Sequence, residues 1–315
     1  MSQSDPTYPR DLAGYGRNPP DPRWPGRARV AVQFVLNYEE GGESSVLHGD
    51  PASEAFLSDV LGAQPWPGQR HMNVESMYEY GSRAGFWRIW RAFREKNLPL
   101  TVFGVATALA RNPEAVAAMR EAGWEIASHG LKWIDYRNVS EQQERTHLYE
   151  AIRIHTQATG ERPLGWYTGR TSEATLKIVL EEGGFVYSSD SYADDLPYWV
   201  KGPQRPHVIV PYALDANDMR FINPQGFATG DQFFAYLRDA FDVLYAEGET
   251  SPKMMSVGLH CRLVGRPGRI AALAKFINYA MQHPKVWICR RIDIAKHWQA
   301  RHPYSDAAAD GGKSS

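Results

Sequence analysis

From Arg29 onward the chain alternates short apolar runs with longer stretches in which apolar residues recur every three or four positions. The short runs predict strands at 30–36, 100–105, 124–128, 164–167, 185–188, 208–212, 254–259 and 286–289. The longer stretches predict helices at 82–96, 113–122, 141–159, 172–182, 231–246, 269–282 and 292–301. Pro113 after Asn112 reads as a capped helix start, and Gly123 and Gly183 as helix ends. Strands separated by helices call for parallel pairing through crossovers. About eight such units predict an α/β fold that is closed, or nearly closed, into a (β/α) barrel.

A barrel of this kind places its chemistry at the carboxyl ends of the strands. Glu39, Glu40, His129, Tyr167, Asp190 and His260 all fall there, from five different strands. Residues 1–28 hold Asn18-Pro19-Pro20-Asp21-Pro22, which forbids a regular helix and predicts an extended arm, laid on a neighbouring subunit or on the chain's own surface. One barrel domain then covers 29–301, with a polar tail at 302–315. Between the first strand and its helix, 42–80 reads as a long loop insertion rich in glycine, proline and aromatics, suited to a lid or a subunit contact.

Composition narrows the partners. Of the 315 residues, 43% are hydrophobic and 23% charged, which is ordinary for a globular chain. A net charge of −1 argues against nucleic acid, and no apolar run approaches the ~20 residues needed to cross a bilayer. The first thirty residues lack an apolar signal core, and Cys261 and Cys289 are too few for a disulfide framework. Both features lead us to expect a cytoplasmic protein.

Five strand-end motifs occur in order. They are Asn37-Tyr38-Glu39-Glu40-Gly41, Glu125-Ile126-Ala127-Ser128-His129-Gly130, Gly165-Trp166-Tyr167-Thr168-Gly169-Arg170, Gly184-Phe185-Val186-Tyr187-Ser188-Ser189-Asp190 and Ser256-Val257-Gly258-Leu259-His260. In this order the chain resembles the polysaccharide deacetylase superfamily, with its deformed, seven- or eight-stranded NodB-like barrel. Members of that superfamily carry Thr-Phe-Asp-Asp-Gly and Ser-His-x-x-x-His, from which an aspartate and two histidines hold a divalent ion. Here Glu40 stands for the aspartate and Trp133 for the second histidine, and an indole offers only an N–H donor. The barrel looks retained and the metal lost.

Within the superfamily the chain looks most like the cofactor-independent allantoinases of bacterial purine breakdown. The arm Arg10-Asp11-Leu12-Ala13-Gly14-Tyr15-Gly16, the run Leu263-Val264-Gly265-Arg266-Pro267-Gly268-Arg269 and Trp133 carry that likeness. It implies hydrolysis of allantoin to allantoate without a cofactor, by a cytoplasmic homo-oligomer, a tetramer.

Opening a hydantoin without a metal needs a carboxylate to take a proton from water and fixed donors to hold the oxyanion. By alignment Glu39 is the expected base, His260 the acid for the departing nitrogen, and His129 a donor to the oxyanion or a ureido oxygen. Glu40, Trp133, Tyr167, Arg170 and Asp190 are the expected substrate contacts, and Arg262 is a further oxyanion candidate. Each also has a purely structural reading: a salt-bridged carboxylate, a satisfied strand-end histidine, a packed ring. Adjacent residues on a strand face opposite ways, so Glu39 and Glu40 share one pocket only if the strand turns at Glu40-Gly41. His147, His155, His283, His297 and His302 read as structural. Two rival functions remain in view. One is a metal-dependent deacetylase using Glu40, His129 and His48 or His71; the other is a catalytically inactive carbohydrate-binding barrel.

Overall fold

The structure, a computed structural model, describes residues 9–60 and 62–305. The start of the expected arm, Leu61 and the tail beyond Ser305 lie outside the described residues. All eight expected strands are present: β1 Val30–Tyr38, β2 Thr101–Gly104, β3 Glu125–Ser128, β4 Gly165–Trp166, β5 Tyr187–Ser188, β7 His207–Ile209, β8 Lys253–His260 and β9 Val286–Ile288. A short strand, β6 Tyr198–Val200, runs antiparallel to β7 and was not expected, because three residues carry too little pattern to read. The strands lie in the order β6-β7-β5-β4-β3-β2-β1-β8, and β9 pairs with the start of β1. Every pairing except β6–β7 is parallel. The sheet curls into a deformed α/β barrel that stays open between its end strands. Residues before β8 line that gap, where Gly258 N–H donates to the Ala216 carbonyl and Met254 N–H to that of Asp195.

β1 is buried along its whole length, as a central strand covered on both faces must be. Val30, Val32, Phe34, Leu36 and Tyr38 join the large core beneath the helices, while Val35 joins Phe103, Ala127, Tyr167 and Tyr212 inside the barrel. That alternation carries Gln33 and Asn37 to the interior, and Glu39 continues the inward phase beyond the strand end.

Two helices were not expected. Ala106–Arg111 is only six residues long. Met72–Tyr80 is polar and is held by the burial of Val74 and Tyr78, four residues apart. The expected loop at 42–80 therefore ends as a helix. It runs through a π-turn, Gly81–Gly85, into Phe86–Arg94. Glycine is required in that turn: a Cβ on Gly85 would lie 2.0 Å from the Cys261 carbonyl oxygen, and one on Gly81 would lie 2.5 Å from Glu40 Oε1. The described part of the arm, from Pro9, packs on this same chain. Trp24 is buried against Trp287 and Trp298, and its indole N–H donates to the Lys253 carbonyl at 3.0 Å.

Candidate active site

At the carboxyl end of β1 the chain turns back on itself. Gly42 N–H donates to the Glu39 carbonyl at 2.7 Å, and Gly41 takes φ 95°, a left-handed value that disfavours any side chain. The turn leaves Glu39 facing the barrel interior and Glu40 against the π-turn of the outer helix. β8 pairs with β1 so that His260 lies beside Asn37; two residues further on, Arg262 lies beside Glu39.

Glu39, His129, His260 and Arg262 converge there, and all four are buried. Glu39 Oε1 lies 3.3 Å from His129 Nε2 and 3.6 Å from His260 Nε2, while Oε2 accepts from Arg262 Nη2 at 2.7 Å. Burial alone would raise the Glu39 carboxyl. Arg262, His260 and His129 together outweigh it and hold Glu39 well below the usual carboxylate range. Glu40 goes the other way. Its burial is the largest influence and the neighbouring Glu39 charge adds to it, so its pKa is raised despite Arg262. Glu40 Oε1 accepts from the Arg262 backbone N–H at 3.2 Å and lies 3.5 Å from Nη1.

His260 is oriented by a residue that the sequence reading missed. Asp218 is fully buried; it lies 2.6 Å from His260 Nδ1 and accepts from the backbone N–H groups of His260 and Val264 at 2.7 and 2.9 Å. With Nδ1 engaged, Nε2 is turned toward Glu39. Burial would lower the His260 pKa, but Asp218 and then Glu39 raise it, so the imidazolium form is favoured. The signal available in the sequence was faint: Asn217-Asp218 follows β7 as other polar residues follow the other strands.

The remaining expected residues pack around this cluster. Tyr167 stacks on Phe103 with centroids 4.6 Å apart, stands 4.9 Å from the His129 ring, and shares a 3.0 Å hydrogen bond with Tyr192. Asp190 accepts from the backbone N–H groups of Thr168 and Gly169, pinning the loop that carries Arg170, and burial pushes its carboxyl up to about 6. Trp133 is buried. Arg170 lies over its ring at 4.0 Å and Arg262 at 5.3 Å, and Phe56 stacks on it at 5.8 Å. His129 Nδ1 and Arg170 Nη2 are buried without a hydrogen-bond partner, as is Glu54 Oε2, which lies 3.6 Å from Arg170 Nη2.

The 42–80 segment folds over this cluster. The Leu57 carbonyl accepts from Arg262 Nε at 3.0 Å, and the Arg262 guanidinium lies 4.2 Å from the Tyr78 ring centroid. A cavity of about 280 Å³ opens on the outer side, beside Glu40, and reaches Glu43, Tyr78 and Arg111. Burial pushes the Glu43 carboxyl up to about 7. His48 and His71 stay apart from the cluster. His48 Nδ1 contacts the Glu43 carbonyl, and His71 stacks on Trp66.

The donor set does not fit a divalent ion. Both carboxylates already accept N–H donors from Arg262, and the position expected to carry a second histidine is an indole. Among the described residues no three histidine, cysteine, aspartate or glutamate side chains are placed to hold a metal. An ion about 4 Å from the guanidinium would meet a repulsion of roughly 4 kcal/mol per unit charge at an effective dielectric near 20. What the cluster can do is accept a proton at Glu39 and donate one from His260 across a short gap.

The likeness to known proteins extends over most of the chain. The polysaccharide deacetylase family profile matches residues 69–183. A provisionally named polysaccharide deacetylase of Schizosaccharomyces pombe is 43% identical, over 94% of this chain and 98% of its own. The crystal structure of a probable polysaccharide deacetylase from Pseudomonas aeruginosa PAO1 superposes with a TM-score of 0.93 at 62% identity, covering 95% of this chain and all of that one. The crystal structure of Puue allantoinase superposes with a TM-score of 0.94, also at 62% identity, over 95% of this chain and 99% of that one.

Proposed function

Because the chain belongs to the polysaccharide deacetylase family, we propose that it is a hydrolase of cyclic amides, opening the hydantoin ring of allantoin to give allantoate by metal-independent acid–base catalysis. One observation carries the reaction type: the Glu39 carboxylate lies between two imidazoles and is ion-paired with a guanidinium. The substrate rests on the likeness to Puue allantoinase. In this reading Glu39 takes a proton from water as it attacks the ring carbonyl, and His260, oriented by Asp218, protonates the departing nitrogen. His129 holds the developing oxyanion, and Glu40, Trp133, Tyr167, Arg170 and Asp190 shape the substrate pocket.

A carboxylate held as low as Glu39 is a weak base in the resting site. Its strength rises as the water attacks, because the negative charge developing on the oxyanion beside it offsets part of the positive charge of the surrounding imidazoles and guanidinium. The substrate also helps. A ring carbonyl flanked by nitrogen in a planar imide-like ring is more electrophilic than an N-acetyl group, and a urea-type nitrogen leaves more readily than an alkyl amine. We extend the proposal to a cytoplasmic homotetramer, which light scattering on the purified protein would test.

The deciding assay is release of allantoate from allantoin by protein dialysed against chelator, run beside N-acetyl sugars. The expected result is full turnover of allantoin and none of the sugars. Activity that disappears on chelation and returns with zinc, or turnover of the sugars alone, would overturn the proposal.

A further inference from the structure

We propose that the Arg262 guanidinium is the built-in cation of this site: it fixes the Glu39 carboxylate for reaction and, by bridging Glu39 and Glu40, keeps divalent metal out. Arg262 is among the largest fully buried side chains of the protein. Nη2 donates to Glu39 Oε2 at 2.7 Å, Nη1 lies 3.5 Å from Glu40 Oε1, and Nε donates to the Leu57 carbonyl at 3.0 Å. The backbone N–H adds a fourth bond, to Glu40 Oε1 at 3.2 Å. Tyr78 and Trp133 present their rings to the guanidinium at 4.2 and 5.3 Å. The group is therefore held on every nitrogen and against aromatic walls.

The arrangement follows from the turn after β1. Glu39 faces inward and Glu40 outward, so a single counter-charge must reach both sides of the strand end. A planar fork with donors pointing in different directions does this, whereas a point charge on a flexible stem does not. Without that counter-charge, burying two adjacent carboxylates would cost far more. Removing the fork would expose a different donor set. Glu39 Oε1 already lies 3.3 and 3.6 Å from the Nε2 atoms of His129 and His260. Two imidazoles and freed carboxylate oxygens are ligands that zinc accepts. Arg262 is thus a positioning residue, acting on the reaction through Glu39.

The test compares chelator-dialysed wild type, Arg262→Met and Arg262→Lys by zinc titration in a calorimeter and by kcat and KM on allantoin. Only the rate measurements rest on the reaction proposed above; zinc binding does not. Wild type and Arg262→Lys should take up no stoichiometric zinc, and Arg262→Met should bind zinc at least about tenfold more tightly than wild type. The kcat should fall by roughly 10²-fold in Arg262→Met and about tenfold in Arg262→Lys, with KM within about threefold. A folded Arg262→Met that binds zinc no better than wild type overturns the inference. So does an Arg262→Lys with wild-type kcat, a result that decides the matter even if the methionine variant fails to fold. If wild type does not turn over allantoin, the proposed reaction falls while the zinc comparison still stands.

Discussion

Two arginines are sealed inside this barrel, in opposite company. Arg262, at the carboxyl end of the strands, lies between the carboxylates of Glu39 and Glu40, and its pKa is raised by Tyr78, Glu39 and Glu40 against the effect of burial. Arg291, at the start of the last helix, is fully buried among neutral oxygens. It donates to Gln33 Oε1 at 2.7 Å, to Ser256 Oγ and Ser189 Oγ at 3.0 Å, and to the Pro211 carbonyl at 2.8 Å, with the Val210 carbonyl also in contact. Burial lowers its pKa. The same side chain thus ties strands together in one place and pairs with two carboxylates in the other. Whether a buried guanidinium is structural or chemical is decided by the charge of what it touches.

The sharpest way to break the comparison is to neutralise the carboxylate at the reactive end. Glu39→Gln keeps the shape of the side chain and its contact with Arg262 but cannot take a proton. Turnover of allantoin should fall by about 10²–10⁴-fold while a competitive ligand still binds in a calorimeter. Retained turnover would remove Glu39 as the base.

At Arg291 the large effect should be on stability. Arg291→Met strands four or more buried acceptors, and the unfolding free energy in urea should drop by about 3 kcal/mol. The kcat of the protein that remains folded should stay within about threefold. A large loss of kcat without a loss of stability would erase the distinction between the two arginines.

A smaller effect sharpens the reactive end further. His260 is raised by Asp218 and Glu39 against burial and the Arg262 charge. A raised imidazolium is present below its pKa and lost as pH rises through it, so the alkaline limb of kcat/KM should lie above the ordinary histidine value of about 6.5. Asp218→Asn removes the strongest raising influence and should move that limb to lower pH, costing about tenfold in rate at pH 8. An unmoved limb would assign it to another group.

Much of the architecture was legible along the chain, since strand and helix periods are local properties. All eight expected strands form, and Asn112 caps its helix by accepting from Ala115 N–H at 3.1 Å. β6, Ala106–Arg111 and Met72–Tyr80 escaped because they are short or polar and are held by long-range packing. The site was legible in part. Glu39, His129 and His260 were marked by their places at strand ends, and the structure brings them within 3.3 and 3.6 Å of one another through Glu39. Asp218 carried almost no local signal, because its role depends on a contact with His260, 42 residues away. The 42–80 segment gave no hint that Leu57 and Tyr78 would enclose Arg262.

By itself the sequence determined the α/β alternation, the family and the row of polar residues that end the strands, because each of these is written in neighbouring letters. Only the tertiary structure decided that Arg262 would sit between Glu39 and Glu40, that Asp218 would turn His260 toward them, and that Arg291 would be sealed among neutral oxygens. Those outcomes depend on the register of β1 against β8 and on a turn at Gly41. Burial then sets which charges meet, and no local pattern encodes the distance between residues that are far apart in the chain.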